Sequence, residues 1–314
     1  MSAAWPQLDF PQWQPTATTL HLWTQIVGKT RLALTPLQNH WWNVPLYVSA
    51  RGLTTSAMPV SLPKSHDGKL EIEFDFIEHK LDFRLSSGAV ASLPLIPQSV
   101  ADFFSAYKRA LAELDVEVKL NPMPVELQAP VRFDLDHENA SYDPAAVERF
   151  HQVLIRADTL FKLFSTGFQG KISPVHFFWG SFDLCVTRFS GRLAAGPPRP
   201  DPMQQEAYSH EVVSAGFWPG NGGYGAPAFY CYAAPVPAGL SERLIHPGAW
   251  DPALGEFLLR YDDALASGNP SQAILDFLDT TYAGAADAAQ WDRAALDRPR
   301  PRTDKPATPH HATI

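Results

Sequence analysis

The strongest constraint on the fold is a strict alternation of apolar and charged residues over positions 70–85. Apolar residues occupy every second position of 70–76 and of 81–85, and the residues between them are mostly acidic. Successive side chains of a β-strand point to opposite faces, so this pattern predicts two strands that each bury one face. Glu78 and His79 stand between them, which predicts an antiparallel hairpin that turns there.

Other segments repeat their apolar residues at intervals of three and four, which is typical of helices with one buried face. Predicted helices cover residues 16–27, 100–114, 144–168 and 271–286. Ser99 and Asp143 are predicted N-caps, and Pro144 fits the first helical position. Further strands are predicted over residues 41–50, 175–179, 182–189, 211–217 and 228–233. The sequence therefore predicts an α+β protein with antiparallel sheets and helices packed on their faces.

The long irregular stretch before Asp143 suggests a division of the chain into two parts. We predict a first α+β half over residues 1–125 and a second over 126–296, packed together as one compact unit. Residues 297–314 are rich in proline and arginine and almost free of apolar residues, which predicts a disordered tail.

Both halves contain a Gly-Lys pair followed by a histidine and aromatic residues. The first half has Gly28-Lys29 and His40-Trp41-Trp42, and the second has Gly170-Lys171 and His176-Phe177-Phe178-Trp179. Such recurrence is the expected trace of an internal duplication. The spacing between lysine and histidine differs between the halves, so the sequence leaves open whether they are true repeats.

Charge and apolar runs exclude several partners. The formal net charge of −8 lacks the basic footprint of a nucleic-acid-binding protein. No apolar run reaches the roughly 18 residues of a membrane span, so the sequence predicts neither nucleic acid nor membrane as a partner. Cys185 and Cys231 lie in strand-like runs and no leader precedes Trp5, which together predict a cytoplasmic protein with reduced thiols.

Two near matches to known motifs do not hold. Gly28-Lys29-Thr30 lacks the earlier glycine of a phosphate-binding loop, so we predict a glycine at a helix end followed by a solvated lysine. Ser209-His210-Glu211 lacks the second histidine of a zinc-protease helix. No metal ligand can be assigned from short spacing, although histidines with Asp183 or Glu211 from distant strands leave such a set open. The sequence does not determine whether a cofactor is used.

Three segments combine a histidine with large aromatic and polar residues. Tryptophan and tyrosine are typical of pocket walls, and histidine exchanges a proton near neutral pH. The predicted acid/base residues are His40, His176, His210, Asp183 and Glu211. The predicted ligand-binding residues are Trp41, Trp42, Asn43, Tyr47, Arg51, Trp179, Arg188 and Trp218. We expect the three histidines within roughly 15 Å of one another, in one metabolite-sized cleft covered by the glycine-rich loop around Trp218.

These residues favour an enzyme that acts on a small polar or acidic metabolite, with arginine binding a carboxylate or phosphate. Two alternatives stay open: a non-catalytic module that binds a small molecule or sugar, and a structural or interaction protein whose histidines serve ordinary cores. A small-molecule ligand is the predicted partner. The reaction, the substrate and the oligomeric state are not determined at this level.

Several longer segments of the sequence resemble those of a known family. They lie at residues 20–29, 39–42, 47–55, 173–183, 208–211 and 216–219, and include Asn39-His40-Trp41-Trp42 and Tyr208-Ser209-His210-Glu211. They resemble the domain-of-unknown-function family 5996, and the similarity extends over nearly the whole chain to about Leu296. The resemblance implies no activity and supplies no catalytic residues.

Overall fold

The computed structural model describes residues 4–62, 65–196 and 201–299, apart from the side chains of residues 65 and 66. The helices within these residues are α1 (Phe10–Leu34), α2 (Val100–Glu113), α3 (Pro144–Thr166), α4 (Pro202–Ala207), α5 (Tyr261–Ala266), α6 (Pro270–Ala288) and α7 (Arg293–Leu296). The strands are β1 (Tyr47–Val48), β2 (Gly52–Thr54), β3 (Met58–Leu62), β4 (Ser65–Asp75), β5 (Lys80–Leu85), β6 (Val90–Pro94), β7 (His176–Phe178), β8 (Asp183–Leu193), β9 (His210–Trp218), β10 (Ala228–Ala234), β11 (Ala249–Asp251) and β12 (Glu256–Arg260).

The first sheet contains the hairpin that the alternation predicted. Its order is β1-β2-β4-β5-β6, with β3 paired to β4, and all pairs are antiparallel. Ile72 pairs with Phe83 across the hairpin, and both are fully buried. On the opposite face the Arg84 guanidinium lies 2.7 Å from the carboxylates of both Glu73 and Asp82. The predicted hairpin is confirmed, and its acidic residues Glu73, Asp75 and Asp82 are buried beside arginine partners rather than solvated.

The second sheet has the order β11-β12-β10-β9-β8-β7 and is also antiparallel throughout. Its edge strand β7 meets the edge strand of the first sheet, because Leu46 and Phe177 exchange two backbone hydrogen bonds of 2.9 Å. The α+β class is therefore confirmed. The strand orders of the two sheets differ, and the predicted duplication is not confirmed.

The helices α3 and α6 cover one face of the second sheet. On that face Phe161 and Phe164 of α3 contact Phe229 of β10 and the Arg188 guanidinium of β8, and Tyr282 of α6 contacts Arg188 as well. Apolar residues of both sheets share one buried cluster with α1, α2, α3 and α6. The other face of the second sheet, which carries the alternate residues of each strand, is not covered by α3 and α6.

The N-terminal helix differs from its prediction. It extends from Phe10 to Leu34, beyond both ends of the predicted segment 16–27, so Gly28 lies inside the helix. A Cβ atom at Gly28 would lie only 2.2 Å from the Trp179 ring, which explains the glycine by close packing. Lys29 is 7% exposed. The predicted helix end with a solvated lysine is therefore wrong.

The predicted strand over 41–50 is also mostly wrong. Residues Asn39–Trp41 form a 3₁₀ turn, in which His40 and Trp41 have φ values of 59° and 60°. Only Tyr47–Val48 is a strand. Residues 300–314 of the predicted tail lie outside the described residues, whereas Asp297 accepts hydrogen bonds from Tyr282 and Arg293. No helix in the described part of the chain is long and apolar enough to cross a membrane.

Candidate functional site

A cavity of about 530 Å³ lies over the uncovered face of the second sheet. Its floor consists of Asp183, Cys185, Thr187, Ser214, Tyr230 and Tyr232 from β8, β9 and β10. Its walls include Lys29 of α1, His40, Trp41 and Trp42, Glu126, Trp179, and Asp201, Met203, Gln204, Ala207 and Tyr208 in and beside α4. This volume is typical of metabolite sites.

A larger depression of about 1030 Å³ lies between α1, β3 and α2. Its charged lining residues are all solvent-exposed: Asp67, Lys69, Asp115 and Glu117. Ionisable groups that are buried and perturbed mark functional sites more often than exposed ones do. The cavity over the second sheet, where buried carboxyl, hydroxyl, thiol and ammonium groups share one space, is therefore the better candidate.

The floor is polar because β8 alternates its side chains between the two faces of the sheet. Asp183, Cys185 and Thr187 point into the cavity, whereas Leu184 and Val186 are fully buried in the core on the other side. Burial raises the pKa of the Cys185 thiol, which disfavours the thiolate. Thr187 Oγ1 and Ser214 Oγ lie 2.9 Å apart. Of the floor residues, Asp183 therefore carries the most useful acid/base chemistry.

The Asp183 carboxyl is 4% exposed and is hydrogen-bonded by two hydroxyl groups. Tyr230 and Ser181 both donate to it. Burial raises the pKa of Asp183 to about 6, and these two hydrogen bonds oppose the rise by stabilising the charged form. The carboxyl group can therefore hold or release a proton close to neutral pH.

Tyr230 reaches Asp183 by crossing the strand between them. Tyr230 on β10 and Cys185 on β8 both pair with Gly216 on β9. A Cβ at Gly216 would lie 2.3 Å from the Tyr230 hydroxyl, so only glycine leaves room for the phenol ring. The ring is covered by Trp218, with centroids 4.6 Å apart.

His40 lines the cavity, and both of its ring nitrogens have partners. Nδ1 lies 3.1 Å from the Glu206 carbonyl and donates to it, and Nε2 accepts from Lys171 Nζ at 2.6 Å. The His40 backbone N–H also donates to Glu206 Oε1. Burial and the nearby Lys171 cation lower the pKa of His40. His40 is thus a neutral imidazole that positions the end of α4 against the 3₁₀ turn.

The structure brings the three predicted histidines together without placing all of them in the cavity. The His210 ring lies 5.6 Å from the His40 ring, and the Trp42 ring lies 5.5 Å from His40 and 5.9 Å from His176. His40 is thus within the expected 15 Å of both. His176 is 1% exposed, and burial lowers its pKa to about 3. Neither His176 nor His210 lines the cavity.

Five of the residues predicted from sequence line the cavity: His40, Trp41, Trp42, Trp179 and Asp183. Three predicted charged residues do not, because each has a partner elsewhere. Arg51 Nε lies 2.5 Å from Asp75 in the first sheet, and Arg192 lies 2.6 Å from Glu211. Arg188 faces the helix-covered side of the sheet, with its guanidinium 3.5 Å from the centre of the Phe164 ring.

The other three predicted ligand-binding residues also lie outside the cavity lining. The Asn43 amide accepts from the Gln38 backbone N–H and stabilises the turn. Tyr47 lies between the Arg31 guanidinium and the His176 ring. Trp218 packs its ring against the ring of Tyr230, which lines the cavity floor.

Sequence reasoning missed the polar stripe of α1. His21, Gln25 and Lys29 recur every four residues and so lie on one face of the helix. His21 Nε2 donates to the Gly180 carbonyl at 2.8 Å. The Gln25 side chain donates to the Val125 carbonyl at 2.9 Å and accepts from the Val125 N–H at 2.8 Å. Polar residues spaced by four in an otherwise largely apolar segment of the helix were the sequence signal that could have identified this face.

Gln25 thereby holds the loop that carries Glu126, a second carboxyl group of the cavity. The Glu126 residue as a whole is exposed, but its Oε1 lies 2.3 Å from the place a Cβ at Gly180 would take. Burial of the carboxylate against this wall, together with Asp183 and Asp201, raises the pKa of Glu126. Two carboxyl groups with raised pKa values therefore share one cavity.

Lys29 is the cation of the cavity wall. Its Nζ lies 6.0 Å from the centre of the Trp179 ring, and burial lowers the pKa of its ammonium group. Within the described residues, no group of three or more histidine, cysteine, aspartate or glutamate side chains could hold a metal ion. The polar side chains that line the cavity carry hydroxyl, carboxyl and ammonium groups.

Comparison with known proteins places the chain in a family without assigning a function. Neither the curated proteins nor the solved structures contain a significant match. A family model described as a family of unknown function, DUF5996, matches residues 5–298. Because that match covers nearly the whole chain, the protein belongs to the DUF5996 family.

Proposed function

We propose that this protein is an enzyme acting on a small polar metabolite, and that the Asp183 carboxyl transfers the proton. The observation that carries the proposal is this buried carboxyl group on the cavity floor, with a pKa raised to about 6. A general acid or base works best when its pKa lies near the operating pH. Asp183 can therefore both give and take a proton under neutral conditions.

The surroundings of Asp183 support this role. Tyr230 and Ser181 hold the carboxyl from two sides, so its orientation is set before a ligand binds. Glu126 supplies a second carboxyl group on the wall of the same cavity. Pairs of carboxyl groups in different environments are a common basis for dividing acid and base roles. His40, which is held by Lys171 and Glu206, is a positioning residue in this proposal.

The aromatic walls support a small ligand that is enclosed from water. Trp41, Trp42 and Trp179 line the cavity together with Tyr208 and Tyr232, whose hydroxyl groups lie 2.9 Å apart. Exclusion of water strengthens the interactions of the few polar groups. The parallel rings of Tyr230 and Tyr232, 16° apart in plane, also favour a second candidate, a non-catalytic sugar-binding site.

One experiment separates the two candidates. A metabolite library is screened by thermal shift, and each compound that binds is tested for turnover by the wild type and by Asp183→Asn. We expect turnover to fall by about 10²-fold to 10⁴-fold in this variant while the compound still binds. Asp82→Asn, at a buried aspartate of the first sheet, is the matched control and keeps its turnover.

Two results contradict the enzyme proposal. Turnover of a bound compound at an unchanged rate by Asp183→Asn shows that Asp183 transfers no proton. Tight binding of a compound that wild-type protein leaves unchanged over prolonged incubation favours the sugar-binding candidate instead.

A further inference from the structure

Lys29 lies in the cavity wall, and its ammonium group has no countercharge within the residues that the structure describes. The residue is 7% exposed and lines the cavity. Among residues 4–62, 65–196 and 201–299, no hydrogen bond or ion pair to its Nζ is present, whereas Lys171, Lys80 and Lys162 each have a partner. A cation that lies in a largely apolar wall without a counter-ion is poorly stabilised, and a ligand group of opposite charge stabilises it.

The acidic groups of the cavity do not compensate this charge. Burial lowers the pKa of Lys29, and no carboxylate of the described part of the chain forms an ion pair with it. Glu126, by contrast, is influenced by both Asp183 and Asp201, and its pKa is raised. The cavity therefore has a cationic part at Lys29 and a separate acidic part around Glu126 and Asp183.

We propose that Lys29 binds a carboxylate or phosphate group of the substrate, an inference that rests on the proposed function of the same cavity. Its surroundings favour a strong ion pair, because the Trp179 ring lies near its Nζ and apolar residues such as Leu32 and Val44 line the same cavity, which keeps the local dielectric low. Lys29 is also well positioned. It lies on α1, where close packing of Gly28 against Trp179 and the hydrogen bond of His21 to Gly180 hold this face against the wall.

The two parts of the cavity define the substrate class. A molecule that carries an anionic group for Lys29 and a hydroxyl or amino group for Glu126 and Asp183 satisfies both. Hydroxy acids, amino acids and their phosphate counterparts have this chemistry and fit within about 530 Å³. The substrate is therefore acidic at one end and hydrogen-bond donating at the other.

The test uses the full chain labelled with ¹³C at lysine Cε, and three probes: acetate, inorganic phosphate and neutral acetamide. We expect acetate and phosphate to shift the Lys29 resonance and to saturate at millimolar concentrations, as suits one ion pair with a very small ligand. Acetamide leaves the resonance unchanged. Lys162, whose side chain is 65% exposed and paired with Asp158, is the internal control and shows no saturable shift.

Lys29→Met identifies the resonance and removes the response. Lys29→Arg also removes the labelled resonance and so identifies it, while it retains the positive charge. This variant therefore allows the assignment even if Lys29→Met does not fold. A drift that never saturates, or one equal for Lys162 and Lys29, overturns the inference. Asp183→Asn distinguishes the role of Lys29 from the proposed function. If this variant loses turnover but still binds anions, both proposals are supported, and if it keeps both turnover and anion binding, only the proposed function is overturned. If turnover depends on Asp183 but no anion binds at Lys29, only the role of Lys29 is overturned.

Discussion

Lys171 Nζ lies 2.6 Å from Nε2 of His40 and donates a hydrogen bond to it. The contact joins the loop before β7 to the 3₁₀ turn at the cavity wall, over 131 positions of the chain. It requires a neutral imidazole, whose Nδ1–H then donates to the Glu206 carbonyl. The protonation state of His40 and the position of α4 are therefore linked.

Removal of the Lys171 charge is expected to raise the pKa of His40. Burial and the Lys171 cation both lower this pKa, so Lys171→Met moves it upward but leaves the effect of burial. An NMR titration of the His40 Cε1–H resonance measures the change. Lys162→Met, at an exposed lysine paired with Asp158, is the control and leaves His40 unaffected. An unchanged titration of His40 in Lys171→Met would show that the contact has no electrostatic weight.

Loss of the Tyr230 hydroxyl is expected to raise the pKa of Asp183 above about 6. The hydrogen bond from Tyr230 stabilises the carboxylate and so lowers this pKa against the larger effect of burial. Tyr230→Phe removes the bond, and Gly216→Ala displaces the ring by steric contact. Carbon-13 NMR of the Asp183 carboxyl measures both variants. Tyr232→Phe, which removes a hydroxyl that contacts Tyr208, is the control, and an equal shift in it would contradict the prediction.

The two helical glycines at positions 28 and 284 are expected to respond oppositely to alanine. Alanine stabilises a helix by about 1 kcal/mol relative to glycine. At Gly284 the nearest atom to a new Cβ is Ile245 Cδ1, the flexible end of a side chain 3.2 Å away, so Gly284→Ala stabilises. At Gly28 the new Cβ meets the Trp179 ring at 2.2 Å, and Gly28→Ala destabilises by about 1–3 kcal/mol. Urea unfolding of both variants measures this, and a stabilised Gly28→Ala would refute the close packing.

His176 is expected to make the fold less stable in acid. Burial lowers its pKa from 6.5 to about 3, so below pH 6.5 the unfolded chain binds a proton that the folded chain does not, and stability falls until about pH 3. Between pH 7 and pH 4.5 this loss amounts to about 3 kcal/mol. His176→Phe, which keeps an aromatic ring beside Trp42 and Tyr47, removes that part of the loss.

Urea unfolding at the two pH values measures the effect. A partial pH dependence remains in His176→Phe, because burial also lowers the pKa of His21, to about 4. Burial raises the pKa of Asp183, so it contributes with the opposite sign. His137→Phe, at an exposed histidine, is the control and keeps the wild-type difference. The same difference in His176→Phe as in the wild type would contradict the assignment.

Local patterns predicted those elements whose physical cause is local. The alternation at 70–85 predicted the hairpin because one face of each strand is buried. Ser99 and Asp143 were predicted N-caps, and their side chains accept from the Asp102 and Ala145 N–H groups. The strand predicted over residues 41–50 was mostly wrong, because the apolar alternation there resembles that of a strand while His40 and Trp41 adopt positive φ values. Contacts with Glu206 and Lys171, distant in sequence, stabilise that turn.

The sequence by itself determined the α+β class, the family resemblance and a set of aromatic and titratable residues that includes Asp183. Only the tertiary structure decided which of them share the cavity. Asp183 and Tyr230 stand 47 positions apart, and their contact depends on the strand order and on the absence of a side chain at Gly216. The partner of a buried polar group is set by packing between distant segments, whereas local periodicity specifies only which face of its own element a residue occupies.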